Sequence, residues 1–151
     1  MGLFENERGT SVIKSNTINT LNGGELIYYP TFFSKSESDL FFSTLRTKID
    51  WTQEAMILYG KKVNFPRLTA WYGNNDRPYS FSGITLQPKE WIPELIEIKN
   101  KIEMAADTTF NSVLLNLYRN GNDSISWHTD AEPELGINPI IGSVNFGQAR
   151  L

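Results

Sequence analysis

The sequence predicts a mostly β domain of the α+β class, a sheet with two covering helices. Short apolar runs with strand-like alternation, bounded by Gly, Asn, Asp and Pro, mark the strands. Two longer stretches, 36–51 and 88–106, repeat apolar residues at the three- and four-residue spacing of a helix face. Nine Phe, six Tyr and four Trp in 151 residues supply a core of the size one domain needs.

Composition removes several classes of function. No apolar run approaches the about twenty residues of a membrane-spanning helix. Residues 1–9 are polar where a signal peptide carries its apolar segment. Without cysteine the chain has neither disulfides nor thiolate ligands, which fits an intracellular protein of cytoplasm or nucleus. The sequon Asn122-Asp-Ser124 stays idle in that setting. A net charge of −3 argues against general polyanion binding. Locally the balance reverses, with Lys61, Lys62, Arg67 and Arg77 against one acid, Asp76, between Tyr59 and Arg77. That strip reads either as a solvated face or as one that meets phosphate.

Residues 1–24, rich in Asn, Thr and Ser, read as a flexible N-terminal arm. Glu25–Tyr29 is a short strand closed by Pro30. The first helix runs over Ser36–Trp51, capped by Ser36 or Ser38, with Phe41, Leu45 and Ile49 on its inward face. Ala55–Tyr59 and Val63–Tyr72 flank Gly60-Lys61-Lys62 as a hairpin. Gly73–Pro78 is a turn, after which Tyr79-Ser-Phe81 sets two aromatics on one side of an extended segment. The second helix spans Pro88–Ala106, with Pro93 tolerated in its first turn and Leu95, Ile98, Ile102 and Ala105 turned inward. Phe110–Tyr118 is a core strand, its Val113, Leu115 and Leu117 facing away from Asn116 and Tyr118. Ile140–Phe146 is another strand, beyond a loop that carries Glu132 and Glu134.

The polar residues that stand out lie between Leu114 and Asp130. His128 is the only histidine, and Asp130 follows two residues later. Positions i and i+2 of an extended strand share a face, which sets the two side by side. Asn116 and Tyr118 are related in the same way, and Arg119–Asp123 between the pairs is turn chemistry. Ile125 and Trp127 fall on the opposite face, as a half-buried strand requires. Two strands and a loop thus carry four polar groups toward one cavity. His-x-Asp supplies one imidazole and one carboxylate of the facial triad, two His and a carboxylate, that holds non-haem Fe(II). A surface turn that carries a histidine produces the same tripeptide.

Asn116-Leu-Tyr118-Arg-Asn-Gly121, Ile125-Ser-Trp-His128-Thr-Asp130 and Ser143-Val-Asn-Phe-Gly147 together resemble the AlkB family of Fe(II)/2-oxoglutarate dioxygenases. Pro66-Arg67, Ala70-Trp-Tyr72-Gly73 and Tyr79-Ser-Phe81-Ser-Gly83 are similar to its branch that repairs alkylated DNA bases. The likeness runs from about Leu58 to Arg150. It implies part of a double-stranded β-helix, or jelly roll, beneath the two covering helices. It further implies Fe(II) held by His128 and Asp130, and 2-oxoglutarate as a cosubstrate held by Asn116 and Tyr118. No catalytic residue beyond the metal ligands is implied.

The partner that the resemblance implies is alkylated DNA, with RNA as the alternative. Tyr79 and Phe81 would stack on an extruded base, with Ser82 and Arg67 also on the substrate side and Glu132 touching the damaged base. Leu58 and Tyr59 become the tip of a finger loop that wedges into the duplex, backed by Lys61 and Lys62. Taken alone, the same residues read as core aromatics and an ordinary hairpin. Ala131 departs from relatives that carry a charge there, which bears on substrate preference. A monomer is expected.

In that family a second metal histidine, and arginines that hold the 2-oxoglutarate carboxylate, lie further downstream. With one histidine before Leu151, residues 25–151 are expected to be the N-terminal part of one dioxygenase domain, incomplete at its C-terminus and inactive alone. Three functions stay open. The first is DNA repair by oxidative dealkylation, with O₂ and 2-oxoglutarate consumed and an aldehyde released from the N-alkyl group. The second is a nucleic-acid-binding module with a dead iron site. The third is a related dioxygenase acting on protein or lipid, which needs neither finger nor stacking pair.

Overall fold

The computed structural model describes residues 16–21, 24–74, 79–81, 83–128, 130 and 135–149. The chain divides into two compact units, one ending at Leu40 and the next beginning at Phe41.

In the first unit β1 (Asn16–Leu21) pairs antiparallel with β2 (Gly24–Tyr28), with Asn16 opposite Tyr28 and a register shift between Ile18 and Leu21. β1 lies in the stretch expected to be a flexible arm. A neighbouring strand satisfies its backbone, which composition does not disclose. Tyr29, Phe32 and Phe33 then meet edge to face, with centroids 5.6 and 5.0 Å apart.

Helix α1 (Lys35–Lys48) starts at Ser34, not at the expected cap Ser36 or Ser38. Glu37 Oε2 accepts from the Ser34 N–H at 2.9 Å and from its hydroxyl at 2.7 Å, while Ser34 Oγ accepts from the Glu37 N–H at 3.2 Å. This reciprocal box satisfies donors that the first turn leaves open. Asp39, the acid three residues after Ser36, is paired with Lys35 instead. The helix also ends earlier than Trp51. The Trp51 indole N–H turns back to the Arg46 carbonyl at 3.3 Å, closing one of the orphan acceptors of the last turn. Phe41, Leu45 and Ile49 are buried, as their spacing foretells.

The second unit contains β3 (Ala55–Leu58), β4 (Lys61–Asn64), β5 (Leu68–Gly73), β6 (Tyr79–Phe81), β7 (Ile84–Leu86), α2 (Pro93–Ala106) and β8 (Ser112–Leu117). β3 and β4 are joined by Tyr59-Gly60, both at positive φ (49° and 75°), the two-residue turn whose twist suits a hairpin. Lys61 and Lys62 are therefore strand residues and not part of the turn. β6 and β7 form a second antiparallel pair through Gly83, at φ 79°.

The platform of the site is β5 paired antiparallel with β8, from Leu68 opposite Leu117 to Gly73 opposite Ser112. On the other edge of β5, Thr52 and Thr69 exchange two hydrogen bonds of 2.9 Å. Thr69 is completely buried, and Ala70, Trp71 and Tyr72 nearly so. A Cβ on Gly73 would lie 2.8 Å from the Ser112 Cβ and 2.9 Å from the Asn111 carbonyl, so the strands close only over a glycine.

α2 begins at Pro93, later than the expected Pro88. Lys89 is held extended beside β5, its N–H donating to Trp71 and its carbonyl accepting from Gly73. Its Nζ donates to the Asp50 carbonyl and carboxylate, both at 2.6 Å. Leu95 and Ile98 of α2 are buried and line a cavity of about 70 Å³ with Ile102, Ser112 and Val113. Val113 alternates away from Asn116, so α2 lies on the side of β8 opposite that residue.

Segments 124–128 and 140–146, expected as strands, are irregular. Strand propensity yields where the apolar side chains of a segment find other packing. The second segment packs instead against the helices. Gly142 abuts Ile102 and Phe110, and the Phe146 ring lies 5.7 Å from Phe41.

Candidate metal and cosubstrate site

Just before β5, Arg67 is only 8% exposed. Its Nε–H donates to Asn116 Oδ1 at 2.9 Å, and Nη1 reaches the Ser124 carbonyl at 3.5 Å. The guanidinium lies 5.0 Å from the centroid of the Phe65 ring. Ser124 N–H in turn donates to the Pro66 carbonyl at 2.8 Å. These bonds stitch the entry to β5 to the loop that leaves β8.

That loop is a built turn. Asn120 Oδ1 accepts from the Asn122 N–H at 2.9 Å, an Asx turn. Asp123, buried, accepts from the Arg119 N–H, Nε and Nη2 at 2.9, 2.7 and 2.9 Å. These hydrogen bonds raise the Arg119 pKa above its usual value, against a smaller opposing effect of desolvation. Arg119 Nη1 also donates to Gln53 Oε1 at 2.9 Å, and the Gln53 amide donates to the Phe65 and Arg67 carbonyls. Sequence reading found the turn and missed this network. The only local trace of it is an arginine and an aspartate four apart.

Beyond the turn, His128 Nδ1 lies 2.8 Å from the Ser126 carbonyl. A carbonyl oxygen only accepts, so Nδ1 carries a proton, and in the neutral imidazole Nε2 is then the atom with the free lone pair. Nε2 lies 3.5 Å from Asp130 Oδ1, with both side chains about half exposed. Two acceptors that face each other repel unless Nε2 takes a proton or a cation sits between them. An imidazole anchored through its other nitrogen, with a carboxylate beside it, is what metal ligation uses. Imidazole with carboxylate suits Fe(II). Among the described residues there is no group of three or more His, Cys, Asp or Glu placed to hold a metal.

Asn116 and Tyr118 are half-buried at the end of β8. Directly opposite Asn116 in the ladder, the Thr69 hydroxyl is buried without a hydrogen-bond partner, the kind of polar atom that a water or ligand satisfies. Leu58 and Tyr59 stand at the tip of the β3–β4 hairpin, Tyr59 96% exposed. Tyr79 and Phe81 lie two apart in β6. Ser82 and Glu132 lie outside the described residues, as does Ala131.

The chain belongs to the 2OG-Fe(II) oxygenase superfamily, whose family model matches residues 25–151. The two helices and antiparallel strands are compatible with that fold, and Fe(II) and 2-oxoglutarate are the metal and cosubstrate that the family implies. Within it the chain is AlkB-like. It is 46% identical over 123 residues to the alpha-ketoglutarate-dependent dioxygenase alkB homolog 3 of Homo sapiens, a match covering 81% of this chain and 42% of that protein. The DNA oxidative demethylase ALKBH2 of Homo sapiens is 39% identical over 125 residues, covering 81% and 48%. Its counterpart in Arabidopsis thaliana is 31% identical over 150 residues, covering 97% and 48%. The chain thus spans less than half the length of each of these relatives.

Proposed function

We propose that this chain provides the metal pair and the base-binding surface of an oxidative dealkylase of N-alkylated nucleic-acid bases. One observation carries the reading. His128 is anchored through Nδ1 to Ser126 and turns Nε2 toward the Asp130 carboxylate. These two residues would hold Fe(II), with 2-oxoglutarate against Asn116 and Tyr118. Bound together, the metal and cosubstrate supply the oxidation of an N-alkyl carbon by O₂.

The chain's own residues bind and orient. The exposed hairpin tip, Leu58 and Tyr59 beside Lys61 and Lys62, offers an apolar wedge and phosphate-facing charge. Tyr79 and Phe81 would stack on an extruded base, and Ser82 and Glu132 are further candidates for contact with the substrate. The likeness to ALKBH2, a DNA oxidative demethylase, supports DNA as the substrate class. The finer architecture we propose is a jelly roll, with β5 and β8 as neighbouring strands.

The alternative is a nucleic-acid-binding module without turnover. Aldehyde release by the full-length protein from methylated DNA, RNA and peptide separates the readings. Aldehyde from methylated DNA is expected. Binding without release supports the module, and release from peptide alone overturns the nucleic-acid assignment.

A further inference from the structure

We infer that Arg67 is a positioning residue for 2-oxoglutarate and does not read the nucleic acid: it sets which end of the Asn116 amide faces the cosubstrate. This rests on the proposed role of Asn116. A guanidinium has five N–H donors and no acceptor. The end of the amide that meets Arg67 Nε at 2.9 Å is therefore the carbonyl oxygen. The –NH₂ end is then the one turned away from Arg67, and a donor is what the carboxylate of 2-oxoglutarate requires. A flipped amide would present oxygen to oxygen.

Two further contacts hold the guanidinium in this role. It lies over the Phe65 ring at 5.0 Å, and Nη1 reaches the Ser124 carbonyl, four residues before His128. One side chain thus ties the cosubstrate residue to the segment that carries the metal pair. At 8% exposure, little of it is left for a phosphate to reach. Lysine has no planar fork and cannot make the amide, carbonyl and ring contacts together.

The test uses full-length protein loaded with Mn(II), titrated with 2-oxoglutarate and separately with a methylated single-stranded oligonucleotide. In Arg67→Lys and Arg67→Met the dissociation constant for 2-oxoglutarate is expected to rise on the order of tenfold, the loss of one hydrogen bond to a charged group. Oligonucleotide affinity is expected to stay as in the wild type. A second readout needs no Arg67 variant. In the wild-type nitrogen–proton NMR spectrum the Arg67 Nε–H should exchange slowly with water, and Asn116→Leu should abolish that protection. Weaker oligonucleotide binding with 2-oxoglutarate affinity intact overturns the inference, and so does an Arg67 Nε–H that exchanges at the solvent rate. Wild-type protein that shows the protected Nε–H but takes up no 2-oxoglutarate overturns the functional reading, and with it the cosubstrate role, while the anchored amide stands.

Discussion

Arg119 and Asp123 are locked by two parallel hydrogen bonds, Nε to Oδ2 at 2.7 Å and Nη2 to Oδ1 at 2.9 Å, with the Arg119 backbone N–H as a third donor to Oδ2. The aspartate is buried and the arginine more open. The pair closes the turn between Asn116 and His128, so its chief effect is to fix where His128 emerges. Asp123→Ala is expected to lower the melting temperature and speed hydrogen exchange at the Asp123 and Ser124 amides. Gln53→Ala, which removes one bond from Arg119 and two to the Phe65 and Arg67 carbonyls, should affect these two amides less. Unchanged exchange in Asp123→Ala would show that the turn holds without its fork.

His128→Ala and Asp130→Ala should each weaken Mn(II) binding by on the order of a hundredfold, at least the upper range seen when an outer-shell partner of a ligand is lost. Ser126 contributes through its backbone carbonyl, so Ser126→Ala should leave affinity intact. Calorimetric titration with Mn(II) reads all three. Equal affinity in the wild type and His128→Ala would remove the metal assignment.

Tyr59 holds a left-handed conformation that suits Gly or Asn, and it does so while 96% exposed. A tyrosine kept there against local preference points to use of its ring. Tyr59→Asn is expected to stabilise the fold by about 0.5–1 kcal/mol, part of the left-handed penalty, while lowering affinity for duplex DNA. Chemical denaturation and duplex binding, measured on the same samples, check the two opposite signs. If stability rises with no loss of binding, the tip does not meet DNA.

Phe81→Ala should weaken binding of a methylated single strand by about 1–3 kcal/mol, the range for base–aromatic stacking. Mn(II) and 2-oxoglutarate binding should not change. Loss of cooperative unfolding in this variant would assign Phe81 to the core instead.

Acid should loosen the C-terminal end of α2. Glu103 Oε1 accepts from the Phe110 N–H at 2.7 Å and from Lys99 at 3.1 Å, and these bonds lower its pKa below the usual carboxylate value. Glu94 is lowered likewise, chiefly by its hydrogen bond to Lys48. A depressed folded-state pKa gives stability that is present above the unfolded value, about 4.3, and is lost as pH falls through the folded one. Glu103→Gln should lower stability near neutrality, where the carboxylate is charged, and flatten the loss below about pH 4.3, where the two proteins converge. Identical acid profiles would show that the carboxylate carries no such linkage.

What could be read along the chain depended on local chemistry. The α1 stripe follows from four-residue spacing alone, and the Tyr59-Gly60 hairpin from its glycine, though with the turn set too far along. Asn116, Tyr118, His128 and Asp130 stood out because polar groups at strand spacing have few uses inside a core. The cap at Ser34 was legible and was passed over for Ser36. The Arg67–Asn116 bond joins residues 49 apart, and no local pattern announces it. Lys89 was assigned to a helix because its hold on β5 lies outside any window of sequence. Segment 140–146 has strand composition, but its packing against Ile102, Phe110 and Phe41 lies outside any window of sequence.

The β5–β8 ladder has a kinetic consequence. The hairpins β3–β4 and β6–β7 close short loops, events of about 1–10 μs, and can form before anything distant is in place. Pairing Leu68 with Leu117 must bring together segments separated by a hairpin and the whole of α2. Its loop-closure entropy is met before its contacts reward it, so this step is the slow one. Arg67 and Asn116 thus become neighbours only as the rate-limiting barrier is crossed. Substitutions along the ladder, Gly73→Ala among them, should slow folding itself, whereas changes at the Tyr59 tip should act on other limbs of the kinetics. Until the ladder forms, the edge of β8 that β5 covers is open to pairing with another chain.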